Sequence, residues 1–324
     1  MAKIFLHNDP DFKDLINQVA DEMSIAPFLV EKDYWIMHTL YGLHSQGFEF
    51  ELKGGTSLSK GYKIIHRFSE DIDLKILPPV GVLIPQGKNQ TSTKQIEARK
   101  NFFEKIAQEI KIDGVTTSRA HEFDNNKFFS AGINLNFNSV TEKITGVKPA
   151  VLLEVGFDDT TPHNPITISS WALDKALSLS PEDYIDNRAT EVKCYIPEFT
   201  FVEKLQAIAT KFRKFKESGK MEKNFLRHYY DLFCLLEQSE IQTFIGSKEY
   251  NDRKIKRFPT KDEPLKLNSN PALTISNQDD FNLLNSNYER TKYLYYNGQV
   301  PLKIILEKIQ VHRIRSMNHL KNPF

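Results

Sequence analysis

The 324-residue chain reads as an α+β protein in two parts, a domain of strands and helices over residues 1–200 and a helical domain over residues 201–324. Three observations lead there. Strand-like alternation recurs between helical stretches as far as Ile196, whereas from Thr200 onward apolar residues recur only at helical spacing. The length exceeds the usual size of one compact domain. A composition of 40% hydrophobic and 26% charged residues is that of an ordered chain and excludes a disordered one.

Each element follows from its residues. Asp9-Pro10 offers a capping carboxylate followed by proline at the first helical position, which predicts a helix to about Met23. Phe28, Leu29, Tyr34, Trp35, Met37, His38, Leu40 and Tyr41 predict a second helix from about Pro27 to Leu43. Phe48 to Lys53 reads as a strand delivered into the Gly54-Gly55 turn, with a helix from Thr56 to about His66. Ile72, Leu74 and Ile76 alternate with Asp71, Asp73 and Lys75, a strand with one apolar and one acidic face. A loop over 78–94 precedes a helix over 93–110, and strands are predicted at about 127–138, 149–157 and 191–196. Helices then run through Phe201, Leu205, Ile208, Ala209 and Phe212, and through Phe225, Tyr229, Leu232, Phe233 and Leu236. A polar excursion over 251–280 and a helix over 300–320 complete the chain.

Lys plus Arg number 43 against 42 Asp plus Glu, so the formal charge of +1 excludes a uniformly basic nucleic-acid binder. That balance averages unlike parts: residues 1–50 carry eight acidic and three basic side chains, residues 203–227 three acidic and eight basic. Phe212, Phe215 and Phe225 are interleaved with the basic residues of the second stretch. It either tracks an RNA backbone or is the solvated side of an amphipathic helix whose phenylalanines are core. Cys194 and Cys234 are the only cysteines, which indicates neither a disulfide framework nor a structural zinc site and fits a reducing cytoplasm. The N-terminus lacks a signal-peptide core, and the apolar run over 76–85 is short and broken by Pro78, Pro79 and Pro85, so no membrane segment is expected.

The chemistry concentrates in Lys53-Gly54-Gly55-Thr56-Ser57-Leu58-Ser59-Lys60 and Arg67-Phe68-Ser69-Glu70-Asp71-Ile72-Asp73-Leu74. Glycines after a strand let a phosphate chain approach the backbone, a helix N-terminus offers it unpaired N–H groups, and Thr56 and Ser57 add hydroxyls. The spacing is not that of a P-loop. Asp71 and Asp73 project from one face of their strand, and a divalent cation relieves the repulsion between two carboxylates held so close. Glu154 interrupts the apolar run Val151 to Phe157, where a charge is expensive unless paired or metal-bound, and is the candidate third ligand. Gly-Gly alone is most often a turn and Asp-x-Asp alone most often solvated surface; the order strand, Gly-Gly-Thr-Ser, helix, Asp-x-Asp strand is what points to a site.

This order resembles the nucleotidyltransferase superfamily that includes DNA polymerase β, and KGGTSLSK with RFSEDIDL resembles the AbiEii/AbiGii-type toxin nucleotidyltransferases. Glu31-Lys32-Asp33-Tyr34-Trp35 is similar to that family's opening helix. Pro197 to Leu205 and Arg227 to Leu232 are similar to its later signatures, so the likeness spans roughly Pro27 to Leu236. The resemblance implies a polymerase β-like nucleotidyltransferase domain with a mixed sheet, followed by a helical domain. It implies transfer of a nucleoside monophosphate from an NTP to an acceptor hydroxyl, with tRNA as the leading acceptor, Mg²⁺ in a two-metal site and a separately encoded antitoxin. Asp71, Asp73 and Glu154 would hold metal, and Lys53, Gly54, Gly55, Thr56, Ser57 and Arg67 would meet the triphosphate. Lys204 and Asp231 are carried over as catalytic residues. By itself Lys204 reads as a helix-surface lysine, and Asp231 as a partner of Arg227 one helical turn away. Two further readings stay open: a small-molecule nucleotidyltransferase of the antibiotic-modifying kind, and a catalytically silent module that holds nucleotide or RNA.

Overall fold

The computed structural model describes residues 2–222, 224–262 and 270–319, of which 312–319 are described as backbone only. Lys223 of the basic stretch, part of the 251–280 excursion and Leu320 lie outside the described residues. The chain divides into two compact units. One comprises Met1–Lys63 and Phe68–Tyr195, the other Ile64–Arg67 and the chain from Ile196 onward.

The first unit is a seven-stranded mixed sheet with helices. It opens with α1 (Phe12–Met23) and α2 (Pro27–Ser45), followed by β1 (Phe50–Lys53), the single turn α3 (Gly54–Thr56) and a π-helical segment Ser57–Gly61. Then come β2 (Asp71–Ile76), α4 (Thr93–Glu109), β3 (Val115–Arg119), β4 (Ser130–Phe137), β5 (Val151–Gly156), β6 (His163–Ile168), α5 (Trp171–Leu179) and β7 (Ala189–Tyr195). The strand order is β3-β4-β5-β2-β1-β7-β6. β2 lies antiparallel to β1 and parallel to β5, and β1 is parallel to β7, so the motif-bearing strands occupy the protected middle of the sheet.

Fifteen of the nineteen residues of α2 are buried, which makes it the core helix of this unit. It packs against α1, α5, β5 and β7. Its buried set includes Glu31, Lys32 and Asp33, and a buried charge must be answered. Glu31 accepts from the backbone N–H groups of Val140 and Thr141 and the hydroxyls of Ser139 and Thr141. Lys32 donates to the carbonyl of Lys148, and Asp33 takes Lys60 and the N–H of Trp171.

Three differences from the sequence reading have local causes. α1 starts at Phe12, because the Asp9 carboxylate accepts from the Asp11 N–H and the Tyr184 hydroxyl and so builds a turn ahead of the helix. The helix expected from Thr56 to His66 ends at Gly61. There the Tyr62 N–H bonds to the Ser57 carbonyl, and Lys63 adopts a left-handed φ of 55°. Edge strands β3 and β6 and helix α5 are additional to the expected elements.

The second unit is helical: α6 (Pro197–Ser218), α7 (Arg227–Leu236), α8 (Ser239–Phe244), α9 (Lys248–Arg257), α10 (Pro271–Thr274), α11 (Gln278–Glu289) and α12 (Leu302–His319). α6 packs on α7, α8, α9 and α10, and α12 on α7 and α10. Residues 64–67 join it through a bridge between Arg67 and Tyr295 and a hydrogen bond from the Tyr296 hydroxyl to the Ile65 carbonyl. Part of the excursion expected to be irregular is helical, in α9, α10 and α11.

Candidate active site

Parallel pairing of β2 with β5 sets Asp73 directly opposite Glu154 and Asp71 opposite Leu152. Antiparallel pairing with β1 puts Lys53 beside Asp73. Facing pairs and i, i+2 neighbours share a sheet face, so Lys53, Asp71, Asp73 and Glu154 all project the same way. The opposite face of β2 is anchored by Ile72, Leu74 and Ile76, each at most 2% exposed.

Gly54 is shaped by this face as well as by its turn. Its φ of +74° favours glycine, and a Cβ there would stand 2.1 Å from Oδ2 of Asp73. The Asp73 carboxylate therefore rests against the backbone of the Gly-Gly turn. Thr56 and Ser57 are fully buried, and their hydroxyls donate to the carbonyls of Asp71 and Tyr195. They fasten the turn to β2 and β7, where the sequence suggested hydroxyls presented to a ligand. Lys53 donates to Asp158 at 2.7 Å.

The acidic face is electrostatically loaded. Burial, then the neighbouring charges of Asp73 and Asp71, push the Glu154 carboxyl up to about 7, against the partial relief of Lys148 and Lys53. Lys148 answers Asp71 directly: its ammonium lies 3.0 Å from each carboxylate oxygen. Among the described residues, no three His, Cys, Asp or Glu side chains converge closely enough to hold a metal ion as they stand, and Asp71 is turned to Lys148. In kind, the donor set fits a hard divalent cation: three carboxylates on one face, with Glu154 made harder to ionise by its burial and by the charges of Asp73 and Asp71.

A family profile described as "Nucleotidyl transferase AbiEii toxin, Type IV TA system" matches residues 39–291, most of the chain and all of this face. The chain belongs to that family. As an AbiEii-family protein it is a nucleotidyltransferase, with the mixed sheet and helical second unit described above. No curated protein matches it. Among solved structures it is similar to one described as an antigenic nucleotidyltransferase-like protein from Paracoccidioides brasiliensis. That match has 12% identity, covers 71% of this chain and 95% of that one, and has a TM-score of 0.34, too low to inform the site. Among the described residues, no helix of this AbiEii-family chain is long and apolar enough to cross a membrane.

The other candidate residues lie in the second unit and form a group of their own. Asp231 is fully buried. Nε and Nη2 of Arg67 donate to its two oxygens at 2.6 and 2.8 Å, and the Lys204 ammonium stands 2.8 Å from Oδ2. Burial alone would raise the Asp231 carboxyl, but Arg67 and then Lys204 outweigh it and hold the carboxyl well below the usual range. Asp231 is thus neither exposed nor a surface partner of Arg227, and Lys204, at 8% exposure, is no helix-surface lysine. The aromatic-basic stretch takes the blander of its two readings. Phe212, Phe215 and Phe225 are core, while Lys211, Arg213, Lys214 and Lys216 pair with Glu222, Asp262 and Glu217, Glu222, and Asp280.

Sequence reasoning missed Lys148. It sits in a loop without periodicity, and the one available signal is its place in Gly146-Val147-Lys148-Pro149, just ahead of the strand that carries Glu154.

Proposed function

We propose that this AbiEii-family nucleotidyltransferase moves a nucleoside monophosphate from an NTP to an acceptor hydroxyl with release of pyrophosphate. In this reading the acceptor is the 3′ end of a tRNA, and the protein is the toxin of a pair whose antitoxin is separately encoded. The observation that carries the reading is Asp73 facing Glu154 on adjoining central strands, with Asp71 on the same face and Gly54 against Asp73. Asp71, Asp73 and Glu154 would hold Mg²⁺, which when bound screens the triphosphate and offsets charge developing on the leaving pyrophosphate. Gly54 and Gly55 let the triphosphate approach the main chain, while Thr56 and Ser57 keep that turn against the sheet. By its family-like motif Lys204 is read as a phosphate-binding lysine, and the buried Asp231 carboxylate orients its ammonium.

Incubation of the protein with labelled NTP, Mg²⁺ and total RNA, beside Asp71→Ala, tests the proposal. Label at RNA 3′ ends with the native chain and none with Asp71→Ala is the expected result; equal labelling by both removes the catalytic assignment. A small-molecule acceptor is the second reading, and the burial of Phe212, Phe215 and Phe225 favours it by removing a stacking surface for RNA. Label appearing in hydroxylated antibiotics and not in RNA would establish it.

A further inference from the structure

We infer that Lys148 is the built-in counter-ion of the metal-free site, a positioning residue that holds Asp71 and that the divalent cation must displace. This rests on the metal assignment proposed above and adds a residue to it. Three observations support it. First, the ammonium is equidistant from the two Asp71 oxygens, at 3.0 Å, so it lies on the side of the carboxylate toward which both oxygens draw a cation. Second, the main chain of Lys148 is held from both sides by buried charged groups. Its N–H donates to Glu70 at 3.2 Å, and its carbonyl accepts from the Lys32 ammonium at 2.9 Å; Glu70 is 4% exposed and Lys32 0%. Two buried charges directed at the backbone of one loop residue fix where its side chain starts, and Pro149 holds that residue extended. Third, the ammonium lies 4.5 Å from the Phe123 ring, whose face favours a cation at that position.

The consequence is a competition. A side-chain ammonium and a divalent ion seek the same carboxylate, so the affinity for metal is the intrinsic affinity reduced by the cost of moving Lys148 away. The arrangement keeps three mutually repelling carboxylates organised before metal arrives.

Mn²⁺ binding in the absence of NTP, followed by the paramagnetic resonance of the free ion, tests this in native protein, Lys148→Met, Lys148→Arg and Asp71→Asn. Removing the competitor should tighten Mn²⁺ by about fivefold, the worth of one part-exposed ion pair. Lys148→Arg, whose guanidinium grips a carboxylate at two points, should weaken it instead. The metal-free melting temperature of Lys148→Met should fall, and its rise on adding Mn²⁺ should exceed that of the native chain. A purely structural role would not give opposite signs for Met and Arg. If Asp71→Asn weakens Mn²⁺ binding while Lys148→Met leaves it unchanged or weaker, the counter-ion role is overturned and the metal assignment stands. If Asp71→Asn leaves Mn²⁺ binding unchanged, the metal assignment falls and takes this inference with it.

Discussion

At the scale of single residues, the acidic face depends on close fits that a small change disturbs. Gly54→Ala would place a methyl group 2.1 Å from the Asp73 carboxylate and hold alanine at a φ of +74°. The backbone strain alone is worth about 1–3 kcal/mol, so denaturant unfolding should show a loss of roughly 2 kcal/mol or more, with weaker metal binding because Asp73 is pushed aside. Asp231→Asn removes the negative partner of two buried cations, and breaking such a pair costs about 3–5 kcal/mol. The pH dependence has a definite sign. A carboxyl held below its ordinary value contributes stability above the ordinary carboxylate range and loses it as pH falls through its folded value. The stability gap between native and Asp231→Asn proteins should therefore be full at neutral pH and shrink below about pH 4. Asp71, Asp73 and Glu154 could be found in the sequence because each breaks or alternates with an apolar pattern. Lys148 could not, since its partners Asp71 and Lys32 are 77 and 116 residues away.

At the scale of elements, α2 shows how a buried helix can organise loops distant in sequence. Its three consecutive charged residues hold residues 139–141, Lys148, and the pair Lys60 and Trp171, respectively. Glu31→Ala leaves the N–H groups of Val140 and Thr141 without their acceptor in a part-buried setting, and each is worth about 1–3 kcal/mol. A thermal melt should show a drop of several degrees, and hydrogen exchange at Val140 and Thr141 should accelerate. Helices α1, α2, α4, α6, α7 and α12 and the central strands were evident from the spacing of their apolar residues, whereas α5 and the helices within 251–280 were not. β3 and β6 escaped notice because edge strands are half solvated: Val115–Arg119 carries Thr, Thr, Ser and Arg, and Pro165 interrupts β6.

At the scale of the whole molecule, stability reflects titrations of opposite sign in the first unit. Burial, and secondarily His7, lowers His38 to about 4. Its Nε2–H donates to the Asp113 carbonyl, and its Nδ1 accepts from Asn187, a pairing that suits the neutral ring. A base with a lowered folded value contributes stability that is full above 6.5 and lost as pH falls toward 4. Glu154, raised to about 7, contributes stability that is present below 4.5 and lost as pH rises through 7. The two slopes oppose each other between pH 4.5 and 6.5. Glu154→Gln removes the second, so in metal-free buffer its stability relative to the native chain should grow by about 2 kcal/mol across that interval, measured by denaturant unfolding.

The sequence by itself determined the longer helices and the central strands, the Gly-Gly and Asp-x-Asp motif and the family, because these rest on local periodicity and on short runs of residues. Only the tertiary structure decided which charges meet. It set Glu154 opposite Asp73 through strand register, gave Asp231 to Arg67 and Lys204, buried the phenylalanines of the basic stretch, and brought Lys148 to Asp71. Those pairings join residues far apart in the chain, and neither pattern nor spacing along a sequence encodes which distant charge will neutralise a buried one.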